Sequence, residues 1–354
     1  MTRKLASIQR ITEINSIEGA DQIVVASVLG WRVVVKKDEF KVGDLGVYFE
    51  VDSLLPARPE FEFLKDRGYR IRTIKLRKQI SQGLFMPLSI LPVQKKWKDG
   101  DDVTDIIGVT KYDPEGDIEK SAIAQSNPII KFLMRFSWYR KVFAPKKKAK
   151  GFPSFARKTD EDRVQLFPRI CDDETGTPFI VTEKLDGQSA TYALERKGYK
   201  YDFKVCSRNL INENKESSYW RIADKLKIES SLRKIADTFS ASNVVLQGEI
   251  VGDGIQGNKY GLKGIEFYAF NLFVDGERVD ADLSNGIFLT YHIKSVPYVD
   301  KCYILPSTID ELVQFSNAKS VLANTLREGI VVRNYEKGIS FKVINPEFLL
   351  KWKL

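Results

Sequence analysis

The tightest constraint on this chain lies at its start. Between Lys4 and Pro92 six strand-like segments follow one another: LASIQRI, QIVVASVL, WRVVVKK, LGVYFEV, YRIRTIKL and GLFMPL. Turn material such as EGADQ, LG and DEFKVGD separates them, and several alternate apolar with polar residues, the period of a half-buried strand. Short strands in fewer than ~100 residues close most simply into a small Greek-key barrel of the OB type, although an SH3-like barrel gives much the same pattern. OB barrels often hold single strands or bent duplexes. RGYRIRTIKLRK, with Arg67, Arg70, Arg72, Lys75, Arg77 and Lys78, is the candidate contact strand. An ordinary charged outer sheet face is the plain alternative.

Beyond this barrel (residues 1–92), residues 93–165 read as a connector with helical segments. Between Ser121 and Thr159 it carries ten basic residues, among them Lys131, Arg135, Arg140 and Lys146, and no acid. Phe132, Phe136, Trp138, Tyr139 and Phe143 are interleaved, a mixture suited to phosphates and bases. Residues 166–354 then form a mixed α/β segment. Here FIVTEKLDGQSATYAL, YDFKVCSRN, VVLQGEIVG, IEFYAFNLFVDG, GIVVRN and GISFKVIN read as strands. SSYWRIADKLKIESSLRKIADTF reads as one amphipathic helix with Ile222, Leu226, Leu232, Ile235 and Phe239 inward, and another helix starts near Ser307. The fold class is therefore multi-domain: an N-terminal all-β OB-like barrel followed by an α+β domain with antiparallel sheets.

Composition excludes several chemistries. Cys171, Cys206 and Cys302 are odd in number and far apart, which rules against a disulfide framework or a zinc ribbon and suits a reducing compartment. His292 is the one histidine, so a Ser–His–Asp triad, a two-histidine zinc site and an HExxH protease have no basis. No apolar run reaches transmembrane length, and MTRKLASIQRITEINS lacks the apolar block of a signal peptide. A monomeric intracellular protein, cytoplasmic or in a eukaryote nuclear, with no membrane partner is expected. The formal charge of +9 favours an acidic partner such as nucleic acid.

The chemistry-bearing residues fall in the last segment. VTEKLDGQS places Lys184 at the end of a strand, with Asp186 and Gly187 following. A lysine in that setting can attack a phosphoryl group once deprotonated, which calls for a lowered pKa. SRN supplies Arg208, GEIVG supplies Glu249, FYAFNLF supplies the flat ring of Phe270, REGIVVRN supplies Glu328 and SFKVIN supplies Lys342. A polyphosphate with a divalent metal needs such an inventory: a nucleophile, carboxylates for the metal or its waters, an aromatic platform and a second cation. Each residue alone has a bland reading in core or surface, but the ordered set does not.

KLDG, SRN, GEIVG, FYAFNLF, EGIVVR and SFKVIN resemble, one after another, the motifs of the covalent nucleotidyltransferase superfamily of DNA ligases, RNA ligases and capping enzymes, with an ATP-grasp-like ligase domain. The leucine of KLDG is closer to the RNA ligases. IEGADQIVVASVLGWRVVVKKDEFKVGDLGVYFEVDSLLP and YRIRTIKLRKQISQGLFMPL resemble the N-terminal OB domain of the Deinococcus-type RNA ligase family, in which the OB module comes first. The resemblance implies that ATP adenylylates Lys184. It further implies that Asp186, Glu249 and Glu328 organise Mg²⁺ or Mn²⁺, directly or through water. Glu183, Leu185, Arg208 and Phe270 would then line the nucleotide site, Lys342 would contact the α-phosphate, and Arg70, Arg72, Lys75, Arg77 and Lys78 would touch nucleic acid. The implied substrate is a nick in a duplex with RNA on the 3′-hydroxyl side. A DNA ligase, a GTP-using capping enzyme and a nonenzymatic RNA-binding protein are the readings left open. One departure is Ile344, where many ligases have a second motif lysine.

Overall fold

The computed structural model describes residues 4–92, 96–112 and 151–354. The basic run from Lys131 to Lys150 lies outside the described residues. The chain divides into two compact units, Met1–Lys148 with Lys353–Leu354, and Ala149–Trp352.

The first unit is built on β1 (Ala6–Ser16), β2 (Ile23–Val28), β3 (Trp31–Lys36), β4 (Leu45–Phe49), β5 (Ser53–Leu54), β6 (Thr73–Leu76), β7 (Gln79–Gln82), β8 (Leu84–Pro87) and β9 (Thr110–Lys111). Its main sheet has the order β3-β2-β1-β4-β8, with β5–β9 and β6–β7 as separate pairs. β1 is long enough to serve two neighbours. Ala6–Arg10 pair with β4, and Ile11–Ser16 pair with β2 across a register shift between Ile11 and Glu13. The shift turns the strand, so Ala6 and Ile8 join one apolar cluster while Ile11 joins another around Trp31 and Tyr48. The expected strand YRIRTIKL is shorter than its sequence suggests. Arg70 leaves the alternation because its guanidinium pairs with Asp52 at 2.7 Å and stacks 3.8 Å from the centroid of the Tyr112 ring.

The second unit holds β10 (Pro178–Lys184), β11 (Gln188–Lys197), β12 (Lys200–Cys206), β13 (Asn243–Gly252), β14 (Ile265–Val274), β15 (Glu277–Arg278), β16 (Lys294–Ser295), β17 (Tyr298–Ile304), β18 (Gly329–Asn334) and β19 (Ile339–Ile344). They form a four-stranded sheet, β17-β10-β18-β19, and a six-stranded one, β12-β11-β13-β14-β15 with β16 beside β14. Pairing is antiparallel except between β14 and β16.

Alternation decides what each sheet shows to each side. Phe179 and Val181 of β10, Ile330 and Val332 of β18, and Phe341 and Val343 of β19 form one core with the helix Ile309–Ser316. Tyr192, Leu194, Leu246 and Ile250 form another with the helices Ser218–Lys225 and Ile228–Thr238. The residues between them in sequence, including Lys184, Lys342 and Glu249, therefore fall on the opposite faces. Those faces meet: Arg333 of β18 donates to the Phe270 carbonyl of β14 at 3.2 Å.

Two helical expectations need correction. The stretch read as one helix from Ser217 is two, because Lys227 takes a left-handed conformation (φ 51°) between them. Ile222, Leu232 and Ile235 are buried as expected, but Phe239, the residue after the second helix, is 40% exposed. A helix over Ala281–Thr290, capped by the Asp280 side chain accepting from Leu283 N–H, lay unread among apolar residues. The helix expected near Ser307 begins at Ile309 on a Thr308 cap.

Gly83 tests the packing of the first unit. Its φ of 103° lies in the left-handed region, and a Cβ there would meet the Tyr48 ring and the Phe49 carbonyl. Gly83→Ala should cost about 2 kcal/mol or more through strain and overpacking. Thermal unfolding reads this as a lower midpoint, and an unchanged midpoint contradicts the packing described.

Candidate active site

Lys184 is the last residue of β10 and pairs with Gly329 of β18. Glu328 immediately precedes Gly329, so strand pairing alone brings the two side chains together. Lys184 Nζ donates to Glu328 Oε2 at 2.6 Å. Gly329 is required there, since a Cβ would collide with the Val343 carbonyl of the neighbouring strand. Leu185–Gly187 then carry the chain from the four-stranded sheet into β11 of the six-stranded one. A Cβ on Gly187 would meet the Ile250 carbonyl and the side chains of Val251 and Glu249. Tyr260, buried beneath this turn, accepts the Asp186 backbone N–H on its hydroxyl at 2.7 Å.

Glu249 lies across from Ser189 in the β11–β13 pairing, and the Ser189 hydroxyl donates to its Oε2 at 3.0 Å. Burial pushes the Glu249 carboxyl up to about 8; the charges of Glu328 and Asp186 add to this, against the pull of Lys184 and the Ser189 hydroxyl. For Lys184 the balance runs the other way. Burial alone would push its amine down, but Glu328, Glu249 and Asp186 outweigh burial and hold it above its ordinary value. This corrects the lowered pKa expected from sequence. Three carboxyl groups converge on one amine, and Glu328, which accepts from it at 2.6 Å, contributes most to holding its proton.

The other expected residues are distributed as alternation dictates. Lys342 of β19 sits opposite Val331, with its Nζ 3.7 Å from Asp160. Arg208, just after β12, also pairs with Asp160. Phe270 is half-buried beside the cluster of Leu185, Val251, Tyr260, Tyr268 and Val296. Leu185 is itself part of that core, 3% exposed, and its side chain anchors the turn. Glu183 points away from Lys184 and is buried, with Oε2 accepting from Val321 N–H at 2.7 Å. Burial raises its carboxyl, opposed by Ser320, Val321 and Arg327. Ile344 is buried.

In the first unit, Lys75, Arg77 and Lys78 are exposed on the β6–β7 hairpin and Arg72 is half-buried. Arg77 and Lys78 form the two-residue turn with φ of 46° and 66°, conformations that usually call for glycine or asparagine. Arg70 stands apart from these, its side chain 12% exposed and held by Asp52.

Sequence reasoning missed Lys259 and the segment Asp160–Arg163. Lys259 is nearly buried, pairs with Asp186, donates to the Gln256 carbonyl at 2.8 Å and lies near the Phe348 and Trp352 rings. Its signal was the glycine-dense loop DGIQGNKYG between two motif strands. Asp160 is the first acid after the long basic run, a contrast visible in sequence.

Among the described residues no three of His, Cys, Asp and Glu form a ready-made metal cage. The donor chemistry nevertheless fits a hard divalent cation. Asp186, Glu249 and Glu328 offer oxygen ligands only. Such ions commonly take one or two carboxylates and complete their shell with phosphates and water.

An OB-type unit joined to a two-sheet α+β unit, with a lysine among carboxylates where the sheets meet, defines a nucleic-acid ligase architecture. A family model described as an OB-fold domain matches residues 5–88, and one described as RNA ligase matches residues 177–353. Naegleria gruberi RNA ligase with PPi is 32% identical over 99% of this chain and 99% of that chain, with a TM-score of 0.81. An apo aspartate-to-alanine mutant of the Naegleria gruberi ligase is 33% identical over 99% of this chain and 98% of that chain, also at 0.81. A lysine-to-alanine mutant with ATP and Mn is 32% identical over 98% of this chain and 99% of that chain, again at 0.81. No curated protein matches at comparable significance. The chain belongs to the RNA ligase family.

Glu161 offers a test of how the site is braced. Its carboxylate accepts from Arg333 at 2.9 Å and lies 3.8 Å from Arg278. Burial would raise this carboxyl, but the two guanidinium groups outweigh burial and hold it below its ordinary value. A depressed folded pKa stabilises the protein above the unfolded carboxyl pKa, and the contribution is lost as pH falls through the folded value. Glu161→Gln should therefore cost about 3 kcal/mol near neutrality, with the gap to wild type closing below about pH 4. Unfolding midpoints at both pH values check this, and an equal gap at both contradicts it.

Proposed function

We propose that this chain is an ATP-dependent RNA ligase of the Deinococcus type. It seals 3′-hydroxyl/5′-phosphate nicks in duplexes that carry RNA on the 3′-hydroxyl side. The observation that carries the reading is the convergence of Lys184, Asp186, Glu249 and Glu328 at the junction of two sheets, with Lys342 on the adjoining strand. The Naegleria gruberi ligase supports it. The lysine and aspartate replaced in its mutants are two residues apart, as Lys184 and Asp186 are. Its replaced glutamate and second lysine share the spacing of Glu328 and Lys342. The two lysine mutants hold ATP with Mn, and the glutamate mutant holds AMP with Mn.

The reaction takes three steps. Lys184 Nζ attacks the α-phosphate of ATP, forming a phosphoramidate bond as the bond to pyrophosphate breaks. The 5′-phosphate of a nick then attacks the lysyl-AMP and takes the AMP. Finally the 3′-hydroxyl attacks the activated 5′-phosphate and AMP leaves. A divalent Mg²⁺ or Mn²⁺ held by Asp186, Glu249 and Glu328, directly or through water, would offset phosphate charge and weaken the negative field that keeps Lys184 protonated. Lys342 stabilises charge on the α-phosphate. Arg208 takes a phosphate oxygen, Phe270 stacks on adenine, and Glu183 presents its other oxygen to the adenine edge. Lys75, Arg77 and Lys78 hold the duplex backbone, with Arg72 beside them and Arg70 bracing the strand from within.

ATP labelled at its α-phosphate tests the nucleotide. Label should enter the protein from ATP and not from GTP, and Lys342→Ala should cut its incorporation about 100-fold. Label from GTP alone points to capping chemistry. Duplexes nicked beside a ribose or a deoxyribose 3′ end test the substrate, and sealing should require the ribose. Removal of residues 1–92 should spare lysyl-AMP formation and cripple sealing; equal sealing by the truncated chain contradicts a duplex-holding barrel.

A further inference from the structure

Asp160 occupies an unusual position for a half-exposed acid. The segment on either side of it is stitched into the second unit. The Arg157 carbonyl accepts from Gln247 Nε2 at 2.5 Å, and the Asp162 carbonyl accepts the Lys342 backbone N–H at 2.8 Å. Arg163 makes a parallel bridge with Lys342. Glu161 is clamped between Arg333 and Arg278. Asp160 is thus carried on a fixed backbone, while its side chain stays 43% exposed.

Its Oδ1 meets two cations from separate segments: the Arg208 guanidinium from the turn after β12, in direct contact, and Lys342 Nζ of β19 at 3.7 Å. A guanidinium fork and an ammonium converging on one anionic oxygen is the arrangement a phosphate oxygen satisfies. Glu328 also lies within the electrostatic reach of Lys342, so this is the edge of the site already described.

We propose that Asp160 is an internal stand-in for phosphate, a positioning residue that holds Arg208 and Lys342 in place until a phosphate of the nucleotide takes its position. The proposal rests on the reading of Arg208 and Lys342 as phosphate contacts. Asp160 keeps two like charges organised before a nucleotide binds. It also competes with every phosphate that enters, and returns as pyrophosphate or AMP departs. Affinity for the phosphate is lowered, while affinity for the base and ribose is untouched.

The test compares AMP with adenosine, which differ only by the phosphate. Protein freed of bound AMP with pyrophosphate is titrated with each ligand by calorimetry, as wild type, Asp160→Asn and Asp160→Glu. Asp160→Asn should bind AMP about tenfold more tightly and adenosine unchanged, with the Km for ATP in lysyl-AMP formation falling and kcat holding or dropping. Asp160→Glu, which retains the charge, should stay near wild type and separates loss of charge from loss of fold. Unchanged or weaker AMP binding by Asp160→Asn, or equal tightening for adenosine, overturns the proposal. If wild type forms lysyl-AMP while Asp160→Asn fails to tighten AMP, only this inference falls. If wild type forms none, the functional reading falls with it.

Discussion

The contact between Lys184 and Glu328 is the constraint on which the rest of the second unit depends. Taking an ammonium and its neighbouring carboxylates out of water costs several kcal/mol per charge unless each is held against a partner. The fold meets that condition with main-chain geometry. Antiparallel pairing of Lys184 with Gly329 sets Glu328 beside the amine, and pairing of Ser189 with Glu249 supplies the second carboxylate with a hydroxyl. Glycine at 187 and 329 allows backbones to approach where any side chain would collide. Rigid strands on both sides, each backed by its own apolar core and helices, keep the charged groups from relaxing apart.

That arrangement also explains why Lys184 is protonated without substrate. In the proposed reaction the same carboxyl groups would gather a divalent cation, and positive charge arriving with the nucleotide would oppose their hold on the amine proton. Lys259 on Asp186, and Asp160 on Arg208 and Lys342, fit the same logic. Charges that would face phosphate and metal during the reaction face internal partners before it. The exposed basic hairpin of the first unit is different in kind. Its Lys75, Arg77 and Lys78 are exposed, as the proposed contact with a nucleic-acid backbone requires.

Much of this was legible in the sequence because strand alternation has a fixed period of two. The six segments of the first unit appear as expected except around Arg70, whose pairing with Asp52 depends on a residue 18 positions away. The strands carrying Lys184, Glu249, Phe270 and Lys342 are where their motifs indicated. Other features depend on contacts that no local pattern encodes. The break at Lys227 divides a continuous amphipathic pattern, and the direction of the Lys184 pKa depends on three carboxylates summed in space. The interior location of Leu185 follows from a cluster drawn from loops and strands more than sixty residues away. Lys259 and Asp160 left only the faint signals of a glycine-dense loop and of a first acid after a basic run, because each lies on a segment with no motif of its own.

The central claim is that Lys184, and not one of the neighbouring lysines, forms the covalent bond to AMP. Peptide mass mapping after incubation with ATP and a divalent metal, under conditions that preserve phosphoramidates, tests it most directly. The account predicts a single AMP adduct on the peptide containing Lys184, and none on those containing Lys259 or Lys342. An adduct on either of those residues, or none anywhere in protein confirmed free of AMP beforehand, would contradict it.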